Sequence, residues 1–174
     1  MRFSEKVKGD VEFLVIRYEE YGRCQVKFAG GTSKNGETPF VEMLKTLRRE
    51  VGEEIGDPQL PKHHQVRIML PDEELRKGLL VEIGKGVDHR QYFYLVSDDE
   101  LGGVIRQREI WDGSAKLSVP YWASGKALLS SIFRSHIPPL IQALVKACEL
   151  SEETRRLYAR ELSERVVFQV AQRS

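Results

Sequence analysis

The segment from Lys27 to Gly56, KFAGGTSKNGETPFVEMLKTLRREVGEEIG, constrains the fold more than any other part of the chain. A strand-like stretch runs into two glycines, and apolar residues then recur every three or four positions, which is the spacing of one helix face. Pro39 is acceptable in a first helical turn, and Thr38 suits the N-cap. The segment therefore predicts a strand, a glycine turn and a helix of about four turns from Pro39 to near Gly56.

Three glutamates crowd the end of this predicted helix. Glu50, Glu53 and Glu54 stand at positions i, i+3 and i+4 and so share one face. Like charges at this spacing destabilise a helix by a few tenths of a kcal/mol per pair, so we expect a cation there. Carboxylate oxygens suit Mg²⁺ or Mn²⁺. Taken without its surroundings, however, such a cluster is more often a solvated helix face.

The same residues resemble the Nudix box, G-x5-E-x7-R-E-U-x-E-E-x-G-U, in which U is apolar. Gly31 and Glu37 match its first half, and REVGEEIG, from Arg49 to Gly56, matches the second half. The final U is the one mismatch, because Asp57 stands there. Eleven residues separate Glu37 from Arg49 where the family pattern has seven. Four extra residues rotate a helix by about 40° net, so a turn inserted at the N-terminal end nearly preserves the carboxylate face.

The resemblance covers about residues 8–149 and implies an α/β fold, namely a Nudix-like α/β/α sandwich with a mixed sheet. It implies a divalent-metal-dependent pyrophosphohydrolase that cleaves a nucleoside diphosphate linked to another moiety. The metal, Mg²⁺ or Mn²⁺, would be held by the carbonyl of Gly30 and by Glu50, Glu53 and Glu54. The proton acceptor would be Glu50 or an acid from a cleft loop. Candidates for that acid are Asp98, Asp99, Glu100 and Glu109, of which we favour Glu100.

Two other functions stay open. The lengthened box could fail to assemble a catalytic metal site, which would leave an inert Nudix-like domain that binds nucleotides or regulates. The insertion also moves Arg49 away from Glu37, its expected partner, and Glu42 could replace Glu37. The other alternative is an adaptor protein that uses its last helix for protein contacts.

The rest of the chain alternates strand-like and helical patterns. Strands are expected at residues 11–18, 23–30, 64–70, 78–84, 90–96 and 103–111, and helices follow in 124–133 and 138–150. Ser151 is a suitable N-cap for a last helix through about Gln172. We divide the chain into a Nudix-like domain, residues 1–150, and a C-terminal helix, residues 151–174. That helix should pack on the same domain, because a lone helix is marginal in water.

Composition limits the partners. The 174 residues fit one domain, and a net charge of +1 gives no strong attraction to nucleic acid or membrane. Cys24 and Cys148 are far apart, which disfavours a disulfide or zinc site. The charged N-terminus and the lack of a long apolar run favour the cytoplasm. We expect a small-molecule nucleotide as partner; an oligomer is neither indicated nor excluded.

A few aromatic and histidine residues deserve separate interpretation. Trp111, Tyr121 and Trp122 could stack on a nucleobase, although packing is the more common role. His136 precedes two prolines and is expected to start a helix rather than to bind a metal. His63 and His64 are adjacent, so their side chains would face apart.

Overall fold

The computed structural model describes residues 1–30, 39–52, 66–84 and 90–171 of the protein. The strands are β1 (Arg2–Phe3), β2 (Val11–Glu20), β3 (Arg23–Lys27), β4 (Arg67–Ile68), β5 (Leu79–Gly84), β6 (Arg90–Tyr94), β7 (Leu101–Gly102), β8 (Ile110–Asp112), β9 (Ala115–Leu117) and β10 (Tyr121–Ser124). The helices are α1 (Pro39–Glu50), α2 (Asp72–Lys77), α3 (Gly125–Ser131), α4 (Ile137–Leu150) and α5 (Glu152–Ala171).

Strand β2 is the centre of the main sheet. Its first half pairs with β1 and β10, and its second half pairs with β3 and β9, which in turn pairs with β8. The hairpin between β2 and β3 turns through Tyr21 and Gly22, whose φ angles of 49° and 72° match the twist of paired strands. The predicted pair of strands at the start of the chain is therefore confirmed.

The sheet differs from the expected mixed one. Every ladder among the described strands is antiparallel, and the parallel pairing found in that part of the chain is one isolated bridge between Val26 and Ile132. Strands β4 and β7 form one separate pair, and β5 and β6 form another. The described architecture is thus mixed α and β, with a multi-stranded antiparallel sheet.

The main core lies between β2 and the C-terminal helices. Alternate residues of β2 turn toward these helices, because successive side chains of a strand point to opposite faces. The core contains Val11, Phe13, Val15, Leu128, Leu140, Leu144, Tyr158 and Leu162. Helix α5 contributes the last two residues, and its first turn is capped by the Ser151 hydroxyl, which accepts the Thr154 N–H at 3.2 Å.

Helix α1 begins at Pro39 as predicted, but it ends at Glu50 and not near Gly56. The carbonyls of Glu50 and Val51 accept hydrogen bonds from Arg106, through Nε at 2.7 Å and the backbone N–H at 2.9 Å. A continuing helix would bond those carbonyls to residues 54 and 55. Gly52 is also a poor helix former, and it instead bridges to Ile105.

Two other predictions fail. The strand predicted over residues 103–111 is confined to β8, because Ile105 and Arg106 cross the end of α1 instead of extending the sheet. Helix α2 was not predicted, and within the described part of the expected strand 64–70, residues 66–70, the strand is limited to β4. Residues 64 and 65 lie outside the described residues. Among the described helices, none is both long and apolar enough to cross a bilayer. The cytoplasmic location stays a prediction.

Candidate active site

The glycine turn and the end of α1 meet at Glu50. Strand β3 leads to Gly30, whose N–H donates to Glu50 Oε2 at 2.9 Å. The other carboxylate oxygen, Oε1, lies 3.5 Å from Lys27 Nζ. Glu50 is only 2% exposed. The fold therefore brings together Gly30 and Glu50, two of the residues assigned to the metal, and adds Lys27, which the sequence did not single out.

Burial dominates the electrostatics of Glu50. Removal from water raises the pKa of this carboxyl, while the charge of Lys27 and the Gly30 N–H lower it. The net direction is upward, so Glu50 holds a proton more readily than an exposed glutamate. That is a useful property in a group that accepts a proton during a reaction.

Arg106 holds the end of α1. Its side chain is buried, with 1% exposure, and besides the Glu50 carbonyl it bonds the carbonyl of Arg108. Positive charge near the C-terminus of a helix is also favourable for the helix dipole. Because Glu50 is the last residue of α1, Arg106 controls where the Glu50 backbone sits. No pattern in the sequence distinguishes Arg106 from its neighbours.

Arg49 pairs with an acid that the sequence did not suggest. Its Nε lies 3.3 Å from Asp112 Oδ2 on β8. Glu42, which we considered as a replacement for Glu37, is buried and accepts a hydrogen bond from Thr46 at 3.3 Å. Glu37 itself is outside the described residues. The ion pair with Asp112 ties the end of α1 to the main sheet.

Glu100, the acid that we favoured as proton acceptor outside the box, takes part in a local turn. Its carboxylate accepts the N–H of Ser97 at 2.8 Å and closes the short 3-10 turn Asp98–Glu100. Of the acids considered beside it, Asp98 lines the neighbouring cleft, whereas Glu109 pairs with Lys116 at 2.7 Å. Glu100 therefore caps this turn, and of the four acids proposed from the loops Asp98 is the one that lines the cleft. A catalytic role for Glu100 stays a prediction.

The donors fit a hard divalent cation in type but are few. Within the four described stretches, no group of three His, Cys, Asp or Glu side chains is positioned to hold a metal ion. Glu50 offers carboxylate oxygens, which such cations prefer. The two other carboxylates assigned to the metal, Glu53 and Glu54, lie outside the described residues. Lys27 Nζ competes with a cation for Glu50, and the Lys27 side chain also lines the cleft.

A cleft of about 690 Å³ lies beside these residues, within the size range of small-molecule sites. Lys27, Gly30 and Thr46 line one part of it. Aromatic side chains that line it include Phe28, Tyr92, Phe93, Tyr94, Trp122 and Phe133.

Of the three aromatic residues that could stack on a nucleobase, only one lines the cleft. Trp122 lines the cleft, and the Arg2 guanidinium lies 4.3 Å from its ring centroid. Trp111 is 70% exposed, and neither it nor Tyr121 lines the cleft.

His136 immediately precedes α4, as expected of a residue that starts a helix. It is also part of the cleft wall, which the sequence did not indicate. Its Nδ1 accepts the N–H of Phe28 at 3.1 Å. Burial, reinforced by the charge of Lys27, lowers the pKa of His136 to about 4. The imidazole is therefore neutral at physiological pH.

Comparison of the chain with models of protein families, with curated proteins and with solved structures found no significant match. The resemblance to the Nudix family stands on the box residues quoted above and stays a prediction.

Proposed function

We propose that this chain is a Nudix-type hydrolase with an α/β/α sandwich fold. It cleaves the diphosphate bond of a nucleoside diphosphate linked to another moiety, and it requires Mg²⁺ or Mn²⁺. The observation that supports this most is the hydrogen bond from Gly30 N–H to Glu50 Oε2. It joins the residue that precedes the box to the first glutamate of the R-E-x-x-E-E pattern despite the four-residue insertion.

In this proposal the metal ligands are Glu50, Glu53, Glu54 and the Gly30 carbonyl. A bound divalent cation would neutralise the diphosphate and lower the pKa of a water molecule for attack on phosphorus. Glu50 would accept a proton from the attacking water, and its burial, which raises the pKa of the carboxyl, favours that role. Lys27 turns from Glu50 to a phosphate oxygen and orients it. Arg106 keeps the end of α1, and with it Glu50, in position.

A nucleotide-binding or regulatory domain is the second candidate. The ion pair between Lys27 and Glu50 favours it, because this pair already balances the carboxylate charge that a metal would otherwise neutralise. In such a domain Lys27 and Glu50 stay paired, and a nucleotide binds in the cleft without turnover.

Hydrolysis assays separate the two candidates. The protein is incubated with a panel of nucleoside diphosphate derivatives in Mg²⁺, in Mn²⁺ or in EDTA, and products are followed by phosphorus NMR. We expect cleavage of at least one compound that requires the metal. The variants Glu50→Gln and Glu54→Gln should each lose activity by orders of magnitude. Glu109→Gln, which changes a glutamate paired with Lys116, is the matched control.

The result that would overturn the hydrolase is specific. If nucleotides raise the melting temperature but no compound is cleaved in either metal, the chain is a binding domain. If Glu54→Gln cleaves at the parent rate with the same metal requirement, the assigned carboxylates are wrong.

A further inference from the structure

One end of the cleft is built from rings. Three phenyl rings surround the imidazole of His136, and we call these four residues, Phe28, Phe93, Phe133 and His136, the aromatic end. Phe28 stacks on the imidazole with a centroid distance of 5.6 Å and an interplanar angle of 21°. Phe93 and Phe133 approach it edge-on, at 5.1 Å and 5.9 Å. All four residues line the cleft.

The hydrogen bond to Phe28 decides which nitrogen of His136 carries the proton. Nδ1 accepts the Phe28 N–H, so in the neutral ring the proton is on Nε2. Because the ring stays neutral above about pH 4, Nε2–H is a donor throughout the physiological range. No acceptor for it is found among the residues that the structure describes. The neighbouring residues fix the orientation of the Nε2–H group, but none of those described accepts a hydrogen bond from it.

The next residue supplies a second open polar atom. Ser135 also lines the cleft, and its hydroxyl oxygen is buried without a hydrogen-bond partner in the described part of the chain. Buried polar atoms without partners are uncommon in native proteins, and a ligand is one explanation for them. The two adjacent residues Ser135 and His136 thus each carry a polar atom without a partner in the described part of the chain.

The charge at the aromatic end selects the kind of ligand. Its four side chains are uncharged, whereas the cation Lys27 lies at Glu50 and over the Tyr18 ring, 4.4 Å from the ring centroid. A phosphate therefore fits poorly at this end. A planar uncharged ring with acceptors on its edge fits well, because it can pack on phenyl groups and accept hydrogen bonds from neutral donors.

We propose that the aromatic end binds the nucleobase, and that His136 Nε2–H and the Ser135 hydroxyl bond to acceptors on the base edge. This rests on the proposed function for the position of the diphosphate, which would lie at Lys27 and Gly30. Phe28 and Gly30 are two residues apart in the chain, so their Cα atoms are at most about 7 Å apart. A ribose spans a distance of that order between its base and its 5′ oxygen. One cleft can therefore hold both parts of one nucleotide.

The test uses ligands without phosphate. Adenosine, guanosine, cytidine, uridine and free ribose are titrated into the protein in EDTA, and binding is followed by saturation-transfer NMR. We expect at least one nucleoside to bind where ribose does not, and to shift the Nε2 signal of His136 in long-range proton–nitrogen spectra. Because neither metal nor phosphate is present, the outcome is independent of hydrolysis.

Two variants locate the site, with one control. His136→Asn keeps an acceptor for the Phe28 N–H but has no atom at the Nε2 position, so nucleoside binding should weaken about fivefold or more. Phe93→Leu keeps an apolar side chain without the ring and should also weaken binding. Trp111→Leu removes an exposed indole outside the cleft and should bind as the parent does. If His136→Asn does not fold, two measurements still test the site: nucleoside binding by Phe93→Leu, and the change of the His136 Nε2 signal when a nucleoside is added to the parent.

Nucleosides that bind no better than ribose would overturn the proposal, as would parent-like binding by both cleft variants. If a nucleotide is hydrolysed but no nucleoside binds, the proposed base site is refuted and the proposed hydrolase stands. If a nucleoside binds at His136 but no nucleotide is hydrolysed, the proposed hydrolase is refuted and the base site stands.

Discussion

The Tyr158 hydroxyl connects α5 to the start of β2, and its removal should have a measurable cost. Tyr158 is fully buried, Asp10 is 4% exposed, and the hydroxyl donates to Asp10 Oδ1. That oxygen also accepts the Val11 N–H at 2.8 Å, so Asp10 keeps one partner in Tyr158→Phe. The ring stays, so no cavity of ring size forms. A hydrogen bond to a charged group contributes about 1.5–3 kcal/mol, hence a stability loss of about 2 kcal/mol.

Urea and thermal unfolding measure this loss. At about 2–4 °C per kcal/mol for a chain of this size, the melting temperature should fall by about 4–8 °C. Tyr21→Phe is the matched control, because Tyr21 is 87% exposed in the hairpin turn. Its unfolding should equal that of the parent.

The same bond predicts a pH dependence. Burial and the bond to Asp10 raise the pKa of Tyr158, so the folded state favours the neutral phenol. Its stabilising contribution is complete below about pH 10, the ordinary tyrosine pKa, and is lost at higher pH. The difference between parent and Tyr158→Phe should therefore shrink above that pH. Equal unfolding of the two proteins at pH 7 would refute the reasoning, and apolar contacts alone would then attach α5.

Other residues give further predictions. Glu50→Gln should gain stability relative to the parent in urea unfolding as pH rises above about 4.5, the ordinary glutamate pKa, because burial raises the pKa of the Glu50 carboxyl and the folded state favours its protonated form. Arg106→Met should lose about 2 kcal/mol in thermal unfolding, because the buried Glu50 carbonyl and the part-buried Arg108 carbonyl lose their donor, and Arg106→Lys should restore only part of it. The parent should lose stability from pH 6.5 down to about 4, since His136 stays neutral when folded, and His136→Asn should lose less. Deletion from Ser151 onward should remove about 5 kcal/mol or more, visible as aggregation or early unfolding, because α5 supplies two core side chains.

Elements determined by their own residues were predictable from sequence. The hairpin of β2 and β3 follows from two β-rich runs around a turn that contains glycine, and the start of α1 follows from Pro39. The end of α1 was not predictable, because the residue that stops it, Arg106, is 56 positions from the carbonyl it bonds. Local periodicity carries no information about such a contact.

The candidate site divides in the same way. The proximity of Gly30 and Glu50 is what the box-like segment leads one to expect. The capping role of Glu100 could also have been recognised, because Ser97 and Glu100 form a Ser-x-x-Glu pattern. By contrast, His136 acquires its role from the backbone of Phe28, which is 108 positions away. Only the fold brings these two residues together.

Gly52 limits which sequences the box-like segment can tolerate. It occupies the x of R-E-U-x-E-E, where the Nudix pattern accepts any residue. A Cβ at this position would lie 2.7 Å from the Arg48 carbonyl oxygen and 3.4 Å from the Cβ of Val66. Any side chain would therefore force the last turn of α1 to move, and Glu50 with it. In a library of all single substitutions, codon 52 should be as intolerant as the codons for the glutamates, although it contributes no chemical group.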